Sequence, residues 1–210
     1  MPTGVSLRDP RAQLFAAAER VLVRKGPSAL TSRAVTEEAE VAKGVLHRHF
    51  TDFDSFVSEL VRNHISELAT EIAGLSEAAG TGSITVNLIE AFGRIFTPVN
   101  LGLVSLVITQ DGLRSKLRST TPSGIPILTE AAKALSAYLA AERHLGRIAP
   151  QTDADTIALT LIGTGHLLIA GEASFPPAFT ALQQAVESII NSAGSVHPAP
   201  PLPPAGRQLG

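Results

Sequence analysis

The sequence predicts an all-α protein. Three observations point that way. Apolar residues recur at helical spacing along nearly the whole chain, helix-starting and helix-stopping residues fall at the ends of those runs, and the alternating runs that mark strands are almost absent. With 210 residues, 44% of them apolar and 17% charged, the chain can bury a true core and lies far from the disordered class.

The elements follow in order. Asp9-Pro10 reads as a cap followed by a first-turn proline, and Gly26-Pro27 closes the segment between. Leu14, Ala18, Val21, Leu22 and Lys25 share a helical spacing, so a first helix is expected over roughly residues 10–25. Thr31 caps a short second helix carrying Val35 and Ala39. A third lies in VAKGVLHRHF, residues 41–50, where Leu46 and Phe50 stack one turn apart on one side. Lys43 pairs with His47, and Gly44 with Arg48, on a different side. Thr51 and Asp54 have capping-box spacing. Phe56, Val57, Leu60, Val61, Ile65, Leu68, Ile72 and Leu75 follow as one long amphipathic stripe.

EAAGTGS at residues 77–83 breaks that stripe. Further helices are expected over roughly 84–96, 98–109, 122–144, 153–170 and 176–192. Pro98, Asp111-Gly112, Pro122, Gly146–Pro150 and Pro176-Pro177 separate them. Residues 194–210 are proline-rich and are expected to form a disordered tail. No internal repeat is visible.

Charge is unevenly placed. Residues 1–50 hold eight Lys and Arg (Arg8, Arg11, Arg20, Arg24, Lys25, Arg33, Lys43, Arg48) against five acids (Asp9, Glu19, Glu37, Glu38, Glu40), a balance of +3. The remaining nine basic and fourteen acidic residues give −5. A basic head on an acidic body suits a polyanionic partner for the head. Glu37, Glu38 and Glu40 read as exposed charge, costing affinity if they face such a partner.

Several function classes are excluded. With no cysteine there is neither a disulfide frame nor a thiolate zinc site. His47 and His49 are two apart and lie on different sides of a helix, which argues against a metal pair. His64, His144 and His166 are scattered, with no carboxylate pair or Ser–His pattern beside them. Gly163-x-Gly165 lacks the third glycine and the preceding strand of a dinucleotide site. No enzymatic role, cofactor or metal is expected. The N-terminus has no signal pattern, and the greasiest windows, Val99–Thr109 and Ile157–Gly171, fall short of the roughly 20 apolar residues a membrane span needs. A cytoplasmic protein without membrane association is expected.

Residues 30–50, LTSRAVTEEAEVAKGVLHRHF, resemble the helix-turn-helix of the TetR family of transcriptional regulators. Thr31, Arg33, Val35, Glu38, Ala39, Val41, Lys43, Gly44, Leu46, His49 and Phe50 fall where that family's pattern expects such residues. Leu14, Ala18 and Gly26 match its first helix, and Phe56 its fourth. The resemblance covers about residues 10–60 and is only architectural beyond. It implies a three-helix helix-turn-helix DNA-binding domain over 1–53 and a helical ligand-binding and dimerisation domain over 54–193.

The DNA-facing set so implied is Thr31, Ser32, Arg33, Lys43, Gly44, Val45, His47, Arg48 and His49. The second helix of such a motif enters the major groove. Lys43 and Arg48 can donate to guanine or to phosphate, and Val45 can touch a thymine methyl. Gly44 lets backbone and DNA approach closely, while Thr31 and His49, like the family's equivalents, meet phosphates and set register. Four residues depart from the family pattern. Glu40 replaces a turn glycine expected in the left-handed region, at a cost on the order of 1 kcal/mol. Val45 replaces a hydroxyl donor, His47 a tyrosine, and Phe53 a phosphate-binding lysine, which implies fewer phosphate contacts than usual.

The expected function is a homodimeric repressor that leaves a palindromic operator when a small, mostly hydrophobic effector binds. Phe92, Phe96, Ile108, Tyr138 and His166, apolar with a few polar tips, are the expected effector-binding residues. The dimer face expected from the last two helices sets Leu159, Ile162, Gly163, Leu167 and Ala170 against Phe179, Leu182, Val186, Ile189 and Ile190. The rival reading is a helical interaction module whose basic head meets a protein or an anionic membrane without sequence-specific DNA binding.

Overall fold

The structure, a computed structural model, describes residues 9–118, 124–170 and 175–194. Among them are eleven α-helices and one 3-10 turn, and no strand. The tail expected at 194–210 lies outside the described residues beyond Gly194.

Helices α1 (Pro10–Lys25), α2 (Ser32–Glu38) and α3 (Gly44–His49) form the head. Asp9 caps α1, accepting from Arg11 N and Ala12 N at 3.0 Å each. Gly26, at φ 80°, ends it in a conformation that L side chains resist. The 3-10 turn Pro27–Ala29 leads to Thr31, whose hydroxyl accepts from Ala34 N at 3.1 Å and caps α2. Glu40 stands in the turn at φ 54°, as the residue replacing a glycine must. Leu14, Val21, Val35, Leu46 and Phe50 bury the inner faces of all three helices.

Helix α4 (Phe53–Glu71) joins head to body. Its cap is Asp52, accepting from Ser55 N at 2.7 Å, and not the expected Thr51–Asp54 box. Asp52 has the extended backbone of a cap, and starting there puts Phe56 into the head core. Phe56 meets Phe50 edge-on at 5.0 Å and Phe15 at 5.5 Å. The long stripe is broken once: α4 stops at Glu71, and a short α5 (Ala73–Glu77) carries Leu75 onward.

The body continues with α6 (Ile84–Ile95), α7 (Pro98–Thr109), α8 (Asp111–Arg118), α9 (Pro126–His144), α10 (Ala154–Ala170) and α11 (Phe175–Gly194). Helix α8 corrects the reading of Asp111-Gly112 as a break. Leu113 and Leu117, one turn apart, are both buried, and that apolar pair outweighs the glycine. A Cβ at Gly112 would stand 2.6 Å from Asp54 Oδ2, so the missing side chain lets α8 lie against α4. The expected helix start at Pro122 lies outside the described residues, and α9 runs from Pro126. Pro176-Pro177 sits in the first turn of α11, where missing N–H groups cost nothing.

One continuous apolar core runs from Leu14 in the head through Leu60 and Leu103 to Val186. No single helix among the described residues is long and apolar enough to cross a membrane. Helices α6 and α7 pass that test only as a pair bent by 66°.

Candidate nucleic-acid interface and effector cavity

Helix α3 has two unlike sides. Leu46 is buried under it and Phe50 closes its end, while Lys43, Gly44, His47 and Arg48 are exposed together. Val45 and His49 are half-buried at the margin. On α2, Thr31 and Arg33 are exposed and Ser32 is half-buried. A Cβ on Gly44 would meet nothing within 4 Å, so its value is an open surface for a close partner.

Ion pairing sorts the cations of the head. Arg20 Nε donates to Glu38 Oε1 at 2.8 Å, and Arg24 pairs with the other oxygen. Glu38 is therefore held against α1 and is not the free surface charge it resembled in sequence. Arg33 Nε donates to Glu37 Oε1 at 2.7 Å. The hydrogen bond from Arg33 pulls the Glu37 carboxyl below its usual range, and Glu37 raises Arg33 in return. Lys43 and Arg48 form no ion pair among the described residues. Among the described head cations, Lys43 and Arg48 at α3 and Lys25 at the end of α1 stand outside the ion pairs.

Two supporting residues escaped the sequence reading. Arg11, on the first turn of α1, donates from Nη1 to the His49 carbonyl at 3.1 Å and lies 4.3 Å over the Phe50 ring. It also pairs with Glu59 of α4, tying three helices at the end of α3. Lys116 of α8 donates to Asp52 Oδ2 at 2.8 Å and to Ser55 Oγ at 2.9 Å. The Lys116 bond, helped by Ser55 N, holds the Asp52 carboxyl down at about 2. No local signal marks either contact: the partners lie 38 and 64 residues apart.

A cavity of about 820 Å³ opens between the end of α1, the Pro27 turn, α6, α7 and α10. Phe96, Ile108 and His166 from the expected effector set line it. Phe92 does not; it lies behind Phe96 with the rings stacked at 5.6 Å. Tyr138 is elsewhere, fully buried, its hydroxyl accepting from Asn87 Nδ2 at 3.0 Å. Burial pushes that phenol up to about 12. The periodicity that put all five inside the body could not tell a cavity wall from plain core. Among the described residues, Thr97, Ser105 and His166 are the polar lining, and no Lys, Arg, Asp or Glu contributes.

Of the expected dimer face, Leu159 and Leu167 are 68% and 78% exposed on α10, with Gly163 between them. Ile162, Leu182 and Val186 are buried within their own chain, and Phe179 lies outside the described side chains. Among the described residues, no group of three or more His, Asp or Glu is placed to hold a metal.

Residues 14–60 match the family described as bacterial regulatory proteins, tetR family. The match covers the head and the start of α4, less than a quarter of the chain. Solved structures extend the likeness to the whole fold. A transcriptional regulator from Rhodococcus sp. Rha1 is 22% identical, with a TM-score of 0.63 over 89% of this chain and 99% of that one. Escherichia coli NemR in its reduced form is 17% identical, with a TM-score of 0.70 over 90% and 100%. The fatty acid degradation regulator FadR from Bacillus halodurans is 15% identical, with a TM-score of 0.65 over 89% and 96%. No curated protein sequence matches the chain. At such identities the structures show a shared fold alone.

Proposed function

We propose that this regulator is a cytoplasmic homodimeric repressor whose head, residues 1–53, reads a palindromic operator and whose body, 54–193, releases it on binding a small molecule. The observation that carries the reading is the exposed side of α3: Lys43, His47 and Arg48 project together around Gly44, backed by an apolar anchor. Thr31, Ser32, Arg33 and His49 flank them as phosphate contacts, and Val45 offers a methyl to thymine. Helices α10 and α11 supply the two-fold contact, through Leu159, Gly163, Leu167 and Ala170 with Ile189 and Ile190 at the edge. The effector occupies the cavity lined by Phe96, Ile108 and His166. It acts by population shift, binding more tightly to a spacing of the two heads other than the roughly 34 Å that successive grooves demand.

Selection of bound duplexes from a random DNA pool tests this directly. The expected product is a palindrome with two half-sites. Failure to enrich any sequence defeats the reading and leaves the chain as a helical interaction module.

A further inference from the structure

Helices α2 and α3 both end on carbonyls that α1 holds. At the end of α2, the backbone N–H groups of Ala39, Val41 and Glu40 donate to the carbonyls of Val35, Thr36 and Glu37 at 2.9, 3.0 and 3.2 Å. The next two carbonyls are taken from outside the motif. Arg20 Nη2 donates to the Glu38 carbonyl at 3.3 Å, and Gln13 Nε2 to the Ala39 carbonyl at 2.8 Å. At the end of α3, Arg11 Nη1 donates to the His49 carbonyl at 3.1 Å. All three donors stand on α1, Arg11 and Gln13 on its first turn. Gln13 bonds the residue directly before Glu40, whose backbone is at φ 54°. An L side chain resists that region, so the turn stays there only while its surroundings hold it. Arg11 is itself fixed, by Asp9 Oδ1 at its backbone N, by the Phe50 ring 4.3 Å from its guanidinium and by an ion pair with Glu59 of α4.

We infer that Gln13 and Arg11 are positioning residues for sequence reading: Gln13 holds the turn before α3, Arg11 holds the last carbonyl of α3, and together they set the tilt and depth at which α3 meets base edges. The inference rests on the regulator reading above and specifies how its reading helix is aimed. Helix α3 has six residues, so its direction comes from what grips its two ends and not from its own stability. Gln13 and Arg11 grip those ends from one rigid turn, through carbonyls that a helix end leaves without an internal donor. The two kinds of DNA contact respond differently when the grip is lost. A base-edge bond survives only within about 2.7–3.2 Å and near-linear geometry, whereas a phosphate attracts a cation at longer range and from many directions. Losing either tie therefore costs discrimination between sequences before it costs affinity for DNA as such.

The readout is the ratio of two affinities of the full chain at one salt concentration, for its selected operator and for a random duplex of the same length. Gln13→Leu keeps the bulk and the charge and removes the donor. Arg11→Lys keeps the charge and gives up the planar guanidinium that serves carbonyl, ring and carboxylate together. Each is expected to lower the ratio by about fivefold or more, the discrimination carried by one base contact, with random-duplex affinity as in wild type. Glu40→Gly in the Gln13→Leu chain puts a residue at ease with φ 54° into the turn and should restore most of the ratio. A merely structural role predicts otherwise, because a partly unfolded head loses both affinities equally and leaves the ratio alone. An unchanged ratio in either variant, or no recovery with Glu40→Gly, overturns the inference while the regulator reading stands. A chain that selects no operator defeats that reading, and the inference with it.

Discussion

At the scale of single residues, the head works by committing some charges and leaving others free. Arg20 and Arg24 are held by Glu38, and Arg33 by Glu37, whereas Lys43 and Arg48 stand exposed on α3. Lys43→Ala is expected to cost about 1–3 kcal/mol of operator binding, confined to the native sequence, if its ammonium reads a base edge. If it meets phosphate, all duplexes weaken together and the salt slope falls by about one. Unchanged affinity and slope would remove Lys43 from the interface. Glu37 makes the opposite case. It occupies the guanidinium of Arg33 and adds a negative charge on α2, so Glu37→Gln should strengthen DNA binding and steepen the salt dependence by up to about one phosphate contact. The fold should hardly notice, since exposed pairs contribute little. Anisotropy titrations at several salt concentrations read both effects, and an unaltered slope in the Glu37 variant means Arg33 stays off the backbone. The exposure of Lys43 and Arg48 was legible from spacing, and a DNA-facing role for them only from the family resemblance. Arg11 was not, because its partner, the His49 carbonyl, is brought to it only by the fold.

At the scale of elements, α3 has six residues, too few to be helical alone, and takes its shape from what holds its ends. Leu46 and Phe50 fix it from below, and Arg11 of α1 holds the His49 carbonyl at its end. The start of α4 is held similarly, by Asp52 within the helix and by Lys116 from α8. Asp52 falls from an ordinary 3.8 to about 2 in the folded chain. A carboxyl depressed on folding stabilises above its unfolded value and loses that contribution as pH falls through its folded one. Wild type should thus lose an increment of stability between about pH 4 and pH 2 that Asp52→Asn lacks from the outset. Acid unfolding of the two proteins compares the slopes directly, and identical slopes would show that the Lys116 tie is not made in solution. The sequence placed this junction within a residue, through the Thr51–Asp54 pattern, but could not choose between neighbouring caps. Helix α8 was illegible because Asp111-Gly112 resembles a turn, and only the burial of Leu113 and Leu117 against the body overrides it. Glu40 was legible for the opposite reason: its strained backbone is required by the turn itself.

At the scale of the whole molecule, the two most exposed large apolar side chains among the described residues belong to the proposed two-fold contact on α10. Leu159, Gly163 and Leu167 are four apart, two turns of one side of α10, and the two leucines are 68% and 78% exposed. Ile162, from the same sequence stripe, turned out to serve its own core, as did Leu182 and Val186 of α11. Periodicity finds apolar faces and is blind to whether the surface opposite belongs to the same chain. The glycine between the leucines permits close helix approach, and a two-fold axis there brings each leucine near its counterpart. Placing a carboxylate at both positions should therefore break the contact by like-charge repulsion and desolvation. Leu159→Glu with Leu167→Glu is expected to sediment as a monomer that retains wild-type helicity, since neither side chain supports its own core. Its affinity for a full palindrome should fall to that for a half-site, while half-site binding stays as in wild type, because avidity is lost and the reading surface is not. A variant that remains dimeric and binds the palindrome normally would place the two-fold contact on another face.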